Sequence, residues 1–240
     1  MKIFFITDNK SWFEKLNRWR SVRSEKVEIF CSPNGISNFE KEISKDQISP
    51  INLKIDYARL LDGYSLGFSC HCKQIFPAKL VEKVKCFNFH PGFNPYNRGW
   101  FPQVFSIING LPVGATVHQM DKEIDHGSIV VQREVSITEA DTSKSVYDRI
   151  IDVEFRLFDD IIDEIVSGRY SCFAPHDEGN YNSVSDFKEL CEIDLDQRVT
   201  FREALNYLRA MTFDGYENAY FYDENGFKVH VSLNICRDQN

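Results

Sequence analysis

Three side chains in this sequence have the types and spacing to share a proton-transfer reaction: Asn88, His90 and Asp125. Asn88-Phe89-His90 ends a short apolar run, Lys85 to Phe89, that reads as a strand. In an extended segment, residues two apart point the same way. Asn88 and His90 therefore face one side, and Phe89 faces the core. Imidazole exchanges a proton near neutral pH, and an amide NH2 can donate to an oxygen that is gaining negative charge. Asp125 adds a carboxylate within Ile124-Asp125-His126-Gly127, a tight glycine-containing turn before another strand. On spacing alone other readings stay open. Asn88 and His90 serve equally well as a cap beside a core histidine, and Asp125 as an ordinary turn aspartate.

A group of this kind needs a scaffold that brings distant segments together. Residues 2–7 read as a buried strand, Ser11 to Arg20 as a helix with Trp12, Phe13, Leu16 and Trp19 on one face, and Val27 to Cys31 as a second strand. Strand, helix and strand in that order predict a parallel sheet. The pattern continues with a short helix at Phe39 to Lys45 and strands at Asn52 to Ile55 and Ser65 to Cys70, then a helix opened by Pro77. His90 to Pro102 reads as a Pro- and Gly-rich loop, followed by a helix from Pro102 to Asn109 and strands at Val113 to Met120 and Ser128 to Val135. Val146, Ile150, Val153, Leu157, Ile161 and Ile165 recur at three- and four-residue steps, which predicts a long amphipathic helix ending at Gly168. Pro175 to Ser185 is polar and turn-rich and reads as a linker. Thr200-x-x-Glu203 resembles a capping box, and Asn225-Gly226 signals a hairpin between Ala219 to Tyr222 and Phe227 to Leu233. The expected fold is α/β: a Rossmann-like, open, mostly parallel sheet with helices on both faces, plus a small C-terminal helix and β-hairpin. Residues 1–185 are expected to form the catalytic domain, and residues 186–240 a C-terminal subdomain that docks or pairs with a second copy, since a lone hairpin is too small to stand by itself.

Composition narrows the function. The net charge of −8 over 240 residues argues against a nucleic-acid binder, whose footprint is a basic face. No stretch approaches the roughly 18 apolar residues of a membrane span, and the N-terminal apolar run is too short for a signal peptide. Seven cysteines, an odd number, read as reduced thiols in a cytoplasmic protein. No metal is expected. His90, His118 and His126 match no standard zinc spacing, and Cys70-His71-Cys72 reads as strand-end packing.

Taken together, Asn88-x-His90, the following Pro/Gly loop reaching Arg98-Gly99, and Asp125-x-Gly127 resemble the folate-dependent formyltransferases over Met1 to about Gly168. The loop Pro91-Gly92-Phe93-Asn94-Pro95-Tyr96-Asn97-Arg98-Gly99-Trp100-Phe101-Pro102 lacks the Ser-Leu-Leu-Pro stretch of many members and is similar to the nucleotide-sugar N-formyltransferase branch. The resemblance implies N10-formyltetrahydrofolate as co-substrate and a dTDP-linked amino-dideoxy sugar as acceptor, most simply dTDP-4-amino-4,6-dideoxyglucose, in the making of O-antigen or other lipopolysaccharide. A 3-amino sugar nucleotide, another small amine, or a non-catalytic nucleotide-sugar binder are the competing readings. In this frame His90 is the general base, Asn88 the oxyanion donor and Asp125 the partner of His90. The folate is expected near Phe76, Cys86, Ile124 and Gly127. The sugar nucleotide is expected near Asn9, Lys73, Tyr96, Arg98 and Trp100, and the enzyme is expected to be a homodimer.

Overall fold

The computed structural model describes residues 1–236. Its central sheet draws on β1 (Lys2–Ile6), β2 (Lys26–Cys31), β3 (Ser49–Pro50), β4 (Leu66–Cys70) and β5 (Lys85–His90). After a two-residue strand β6 (Arg98–Gly99), β7 (Gly114–Gln119) and β8 (Ile129–Glu134) complete it. The order is β3-β2-β1-β4-β5-β7-β8, and the pairings β2–β3, β1–β2, β1–β4 and β4–β5 are parallel. The chain winds outward from β1 through β2 to β3, then restarts on the other side of β1 at β4. That reversal is the switch point at which open α/β sheets bind ligands, beyond the C-terminal ends of their strands.

Helices α1 (Lys10–Arg20), α2 (Glu40–Ile43), α3 (Ala58–Leu61) and α4 (Ala78–Lys83) connect the parallel strands. Next come α5 (Pro102–Asn109) and the long α6 (Ser143–Ser167), which Gly168 ends at φ 73°. The remaining elements are β9 (Tyr181–Asn182), α7 (Val184–Cys191), α8 (Phe201–Met211), β10 (Thr212–Phe213), β11 (Tyr216–Glu217), β12 (Ala219–Tyr222) and β13 (Lys228–Val231). The chain forms two compact units. One holds Met1–His90, Val117–Val131 and Asp160–Ala174; the other holds Pro91–Thr116, Gln132–Asp159 and Pro175 onward. The units interleave along the sequence, and residues 237–240 of the expected C-terminal subdomain lie outside the described residues.

Period-two alternation explains the core of the first unit. Phe4, Ile6 and Cys86 face one side of the sheet, with Phe30, Leu53, Phe76, Leu80 and Val84 packed there. Phe5, Phe68 and Phe87 stack on the other side, with centroids 4.7 and 5.6 Å apart. Each buried Phe contributes about 1.5–3 kcal/mol. Gly67 has a specific reason to be glycine. It pairs with Phe4 across the β1–β4 ladder, and a Cβ there would stand 2.2 Å from the Phe4 ring.

Four expectations are corrected. The strand expected at Asn52 to Ile55 falls instead at Ser49–Pro50, because Asn52 closes a turn: its side chain accepts from the Lys54 N–H at 3.1 Å, and its backbone N–H donates to Asp56 at 3.0 Å. The loop from His90 to Pro102 contains β6, and the expected linker contains β9, which pairs with it in parallel. Helix α7 begins inside that expected linker, capped by a reciprocal Ser183–Asp186 box. The β10–β11 hairpin was also unforeseen. Substitution G67A is expected to lower stability by about 1–3 kcal/mol through overpacking against Phe4, read as a reduced midpoint in thermal or denaturant unfolding.

Candidate active site

Strand β5 delivers Asn88 and His90 to the C-terminal edge of the sheet, in register with β4 at Ser69–Asn88. Phe87 and Phe89, the odd-numbered neighbours, are buried on the opposite face, Phe89 against Trp12 at 5.3 Å. Asp125 arrives from the turn between β7 and β8 in a left-handed conformation, φ 52°. A non-glycine residue held there costs free energy that its surroundings must offset. Gly127 allows the turn to fold tightly onto β7: a Cβ at this position would meet the Gln119 carbonyl oxygen at 1.7 Å.

The three side chains converge. Asn88 Nδ2 donates to Asp125 Oδ1 at 2.9 Å, and His90 Nδ1 lies 3.5 Å from Asp125 Oδ2. A fourth group joins them, since His118 Nε2 lies 3.4 Å from Asp125 Oδ1. Burial on its own would raise the Asp125 pKa. The charge of His90, the contact with His118 and the Asn88 N–H outweigh it and hold the carboxyl well below the usual carboxylate range. His90 is displaced downward from an ordinary histidine. Burial is the largest cause, Asp125 opposes it, and His118 and His71 reinforce it. His90 is therefore a neutral imidazole at physiological pH. Its Nδ1 faces the carboxylate, and its buried Nε2 has no hydrogen-bond partner among the described residues. A buried nitrogen left in this state is poised to take a proton from something that enters the site.

The residues expected to bind ligands fall in several places. Asn9 caps α1, its side chain accepting from the Trp12 N–H at 3.0 Å. Lys73 is exposed, while its backbone N–H donates to Asp8 at 2.8 Å. Asp8 itself was not singled out. It is buried and also accepts from the Ser32 N–H at 2.8 Å, tying together the loops that follow β1, β2 and β4. Phe76 and Cys86 are packed in the core, and Ile124 is exposed on the turn that carries Asp125. In the second unit, the Tyr96 hydroxyl donates to Asp177 at 3.0 Å, the buried Arg98 lies 3.4 Å from Glu178, and Trp100 is exposed. His126 faces Asp121 at 3.4 Å on an exposed turn. His118 was weighed in the sequence only as a metal ligand and set aside. The overlooked signal is an imidazole in the buried run Ala115-Thr116-Val117, where a polar ring needs a partner.

Comparison with known proteins gives the family. Residues 66–162 match a family described as formyl transferase, and residues 186–237 match an N-formyltransferase dimerization C-terminal domain. A dTDP-4-amino-4,6-dideoxyglucose formyltransferase from Mycobacterium tuberculosis is 51% identical over 176 residues, covering 73% of this chain and 75% of that protein. A crystal structure of a 4-N formyltransferase from Francisella tularensis superposes with a TM-score of 0.96 at 50% identity, covering 99% of this chain and 98% of that one. An N-formyltransferase from Helicobacter canadensis, in complex with folinic acid and dTDP-3-aminofucose, shares the fold at 22% identity and a TM-score of 0.71, covering 91% of this chain and 83% of that one. The chain belongs to the formyltransferase family.

The His90 environment gives a signed pH prediction. The acid limb of kcat/KM should lie below the value of an ordinary histidine, because burial disfavours the imidazolium. D125N removes the charge that favours the imidazolium, so the limb should move further toward acid while the plateau falls. A pH–rate profile of the two proteins checks both directions.

Proposed function

We propose that this enzyme moves the formyl group of N10-formyltetrahydrofolate to the amine of dTDP-4-amino-4,6-dideoxyglucose. The convergence of Asn88 and His90 on the Asp125 carboxylate, which is 11% exposed, carries the proposal. The named substrate rests on the 51% identity to the mycobacterial enzyme. Acceptance of a 3-amino sugar has fold neighbours at 22 and 23% identity behind it.

In this reading the sugar amine attacks the formyl carbon and a C–N bond forms. The carbonyl oxygen gains negative charge. An Asn side chain has two N–H donors; one is held by Asp125, and the other is available to that oxygen. The amine proton passes to His90 Nε2, directly or through a water, and Asp125 stabilises the imidazolium that results. Breaking the bond from the formyl carbon to N10 returns the electron pair to N10, which takes up a proton. The products are the formamido sugar and tetrahydrofolate. Asn9, Lys73, Tyr96, Arg98 and Trp100 are the proposed contacts to the sugar nucleotide. Ile124 and Gly127, on the turn bearing Asp125, are the proposed contacts to the folate, with Phe76 and Cys86 shaping the apolar ground behind it.

We also propose a homodimer formed through residues 186–236, acting in the cytoplasm to supply O-antigen or related lipopolysaccharide. Phe201 is 91% exposed, Phe227 70% and Leu205 50%, an unusual set of bare apolar groups in the segment that matches a dimerization domain. All seven cysteines are free thiols, in keeping with a reducing compartment. Among the described residues, no helix is long and apolar enough to cross a membrane.

Incubation of the protein with dTDP-4-amino-4,6-dideoxyglucose and the formyl donor should add about 28 Da to the sugar nucleotide, the mass of one transferred formyl group less one hydrogen. No mass gain, or gain on a 3-amino isomer alone, would overturn the substrate assignment. N88A and H90A should each lower kcat by about 10²–10³, measured in the same assay. F201D should shift the species seen by light scattering from dimer to monomer.

A further inference from the structure

We propose that His118 is a positioning residue for the transfer, fixing Asp125 from a strand that neither Asn88 nor His90 occupies. The inference rests on the catalytic reading of Asn88, His90 and Asp125. Both of those donors come from β5, two residues apart. A contact from a second strand limits pivoting about the line joining the two β5 partners. His118 comes from β7 and approaches the same oxygen as Asn88, Oδ1, at 3.4 Å, leaving Oδ2 to His90 at 3.5 Å. The two imidazoles are set nearly at right angles, 79° between planes with centroids 6.3 Å apart, so they contact the carboxylate without stacking on each other.

The bland alternative is that His118 only fills space. It is 1% exposed. An apolar side chain would fill the same volume without the cost of desolvating two ring nitrogens. Among the described residues neither ring nitrogen makes a hydrogen bond of good geometry, and the 3.4 Å approach of Nε2 to Asp125 Oδ1 is the polar contact through which the ring is compensated. At 3.4 Å this is an ion-pair contact longer than a good hydrogen bond, and site contacts of this kind shorten when substrates close the site. The left-handed backbone of Asp125 also needs support from its surroundings, and three polar contacts from two strands provide it.

The test is a double-variant cycle with H118L, H118Q and D125N, measuring kcat and KM for both substrates. H118L should lower kcat about 10–100-fold, with each KM within about threefold. H118Q keeps an N–H within reach of Asp125 Oδ1 and should recover most of the loss. In a D125N background, H118L should cost less than about threefold more, because the contact it removes has already gone. Wild-type kcat in H118L beside a slow D125N would overturn this inference alone. So would independent, multiplying losses in the double variant, or an H118Q no better than H118L. Wild-type turnover in D125N would overturn the catalytic reading beneath it. If H118L does not fold, as judged by thermal unfolding, the H118Q and D125N pair completes the cycle: H118Q should stay near wild type alone and add no loss to D125N.

Discussion

A carboxylate taken out of water must be compensated, and Asp125 is compensated by an amide N–H and two imidazoles. Much of the site follows from that requirement. The amide of Asn88 is turned with its NH2 toward the carboxylate, which fixes where its second N–H can point. His90 is turned with Nδ1 toward the same group, which presents Nε2 elsewhere. The two proposed reacting groups of β5 thus receive their orientation from one residue on a distant turn. The role expected of Asp125, as partner to the histidine, is only half of what the geometry gives it.

The fold provides the means. A parallel sheet gathers its strand ends at one edge, and the reversal of strand order at β1 and β4 opens that edge. Alternation along β5 sends Phe87 and Phe89 into the aromatic core, so that the strand bearing the chemistry is anchored by its odd-numbered side chains. Gly127 permits the tight turn that returns Asp125 to β7. Asp8 does comparable work among the loops after β1, β2 and β4, where a buried carboxylate accepts two backbone N–H groups. Acids largely withdrawn from solvent thus organise the loops at two places in the same unit, and in each the partners include more than one segment.

Much of this was legible in the sequence because it depends on local pattern. Period-two runs marked β1, β2, β4, β5, β7 and β8, three- and four-residue spacing marked α1 and α6, and Thr200-x-x-Glu203 marked the start of α8. Asn88, His90 and Asp125 could be selected because their types and order match a family pattern. What escaped depends on contacts between segments far apart in sequence. The two-residue strands β6 and β9 have no periodicity to read and exist only through their mutual pairing. The strand at Ser49–Pro50 follows the Cys31 edge, while Asn52 spends its side chain on a turn. His118 looked like a stray imidazole because nothing in its neighbours along the chain reveals that Asp125 lies beside it.

Asp125 should hold the hydrogen of neutral His90 on Nδ1, leaving the Nε2 lone pair free for the amine. Nitrogen-15 NMR of the histidine-labelled protein at neutral pH, with the His90 signal assigned by its loss in H90Q, reads the tautomer directly. The predicted result is a protonated Nδ1 and an unprotonated Nε2, with that preference weakened in D125N. A proton on Nε2, or a tautomer unchanged by D125N, would contradict the arrangement on which the proposed transfer depends.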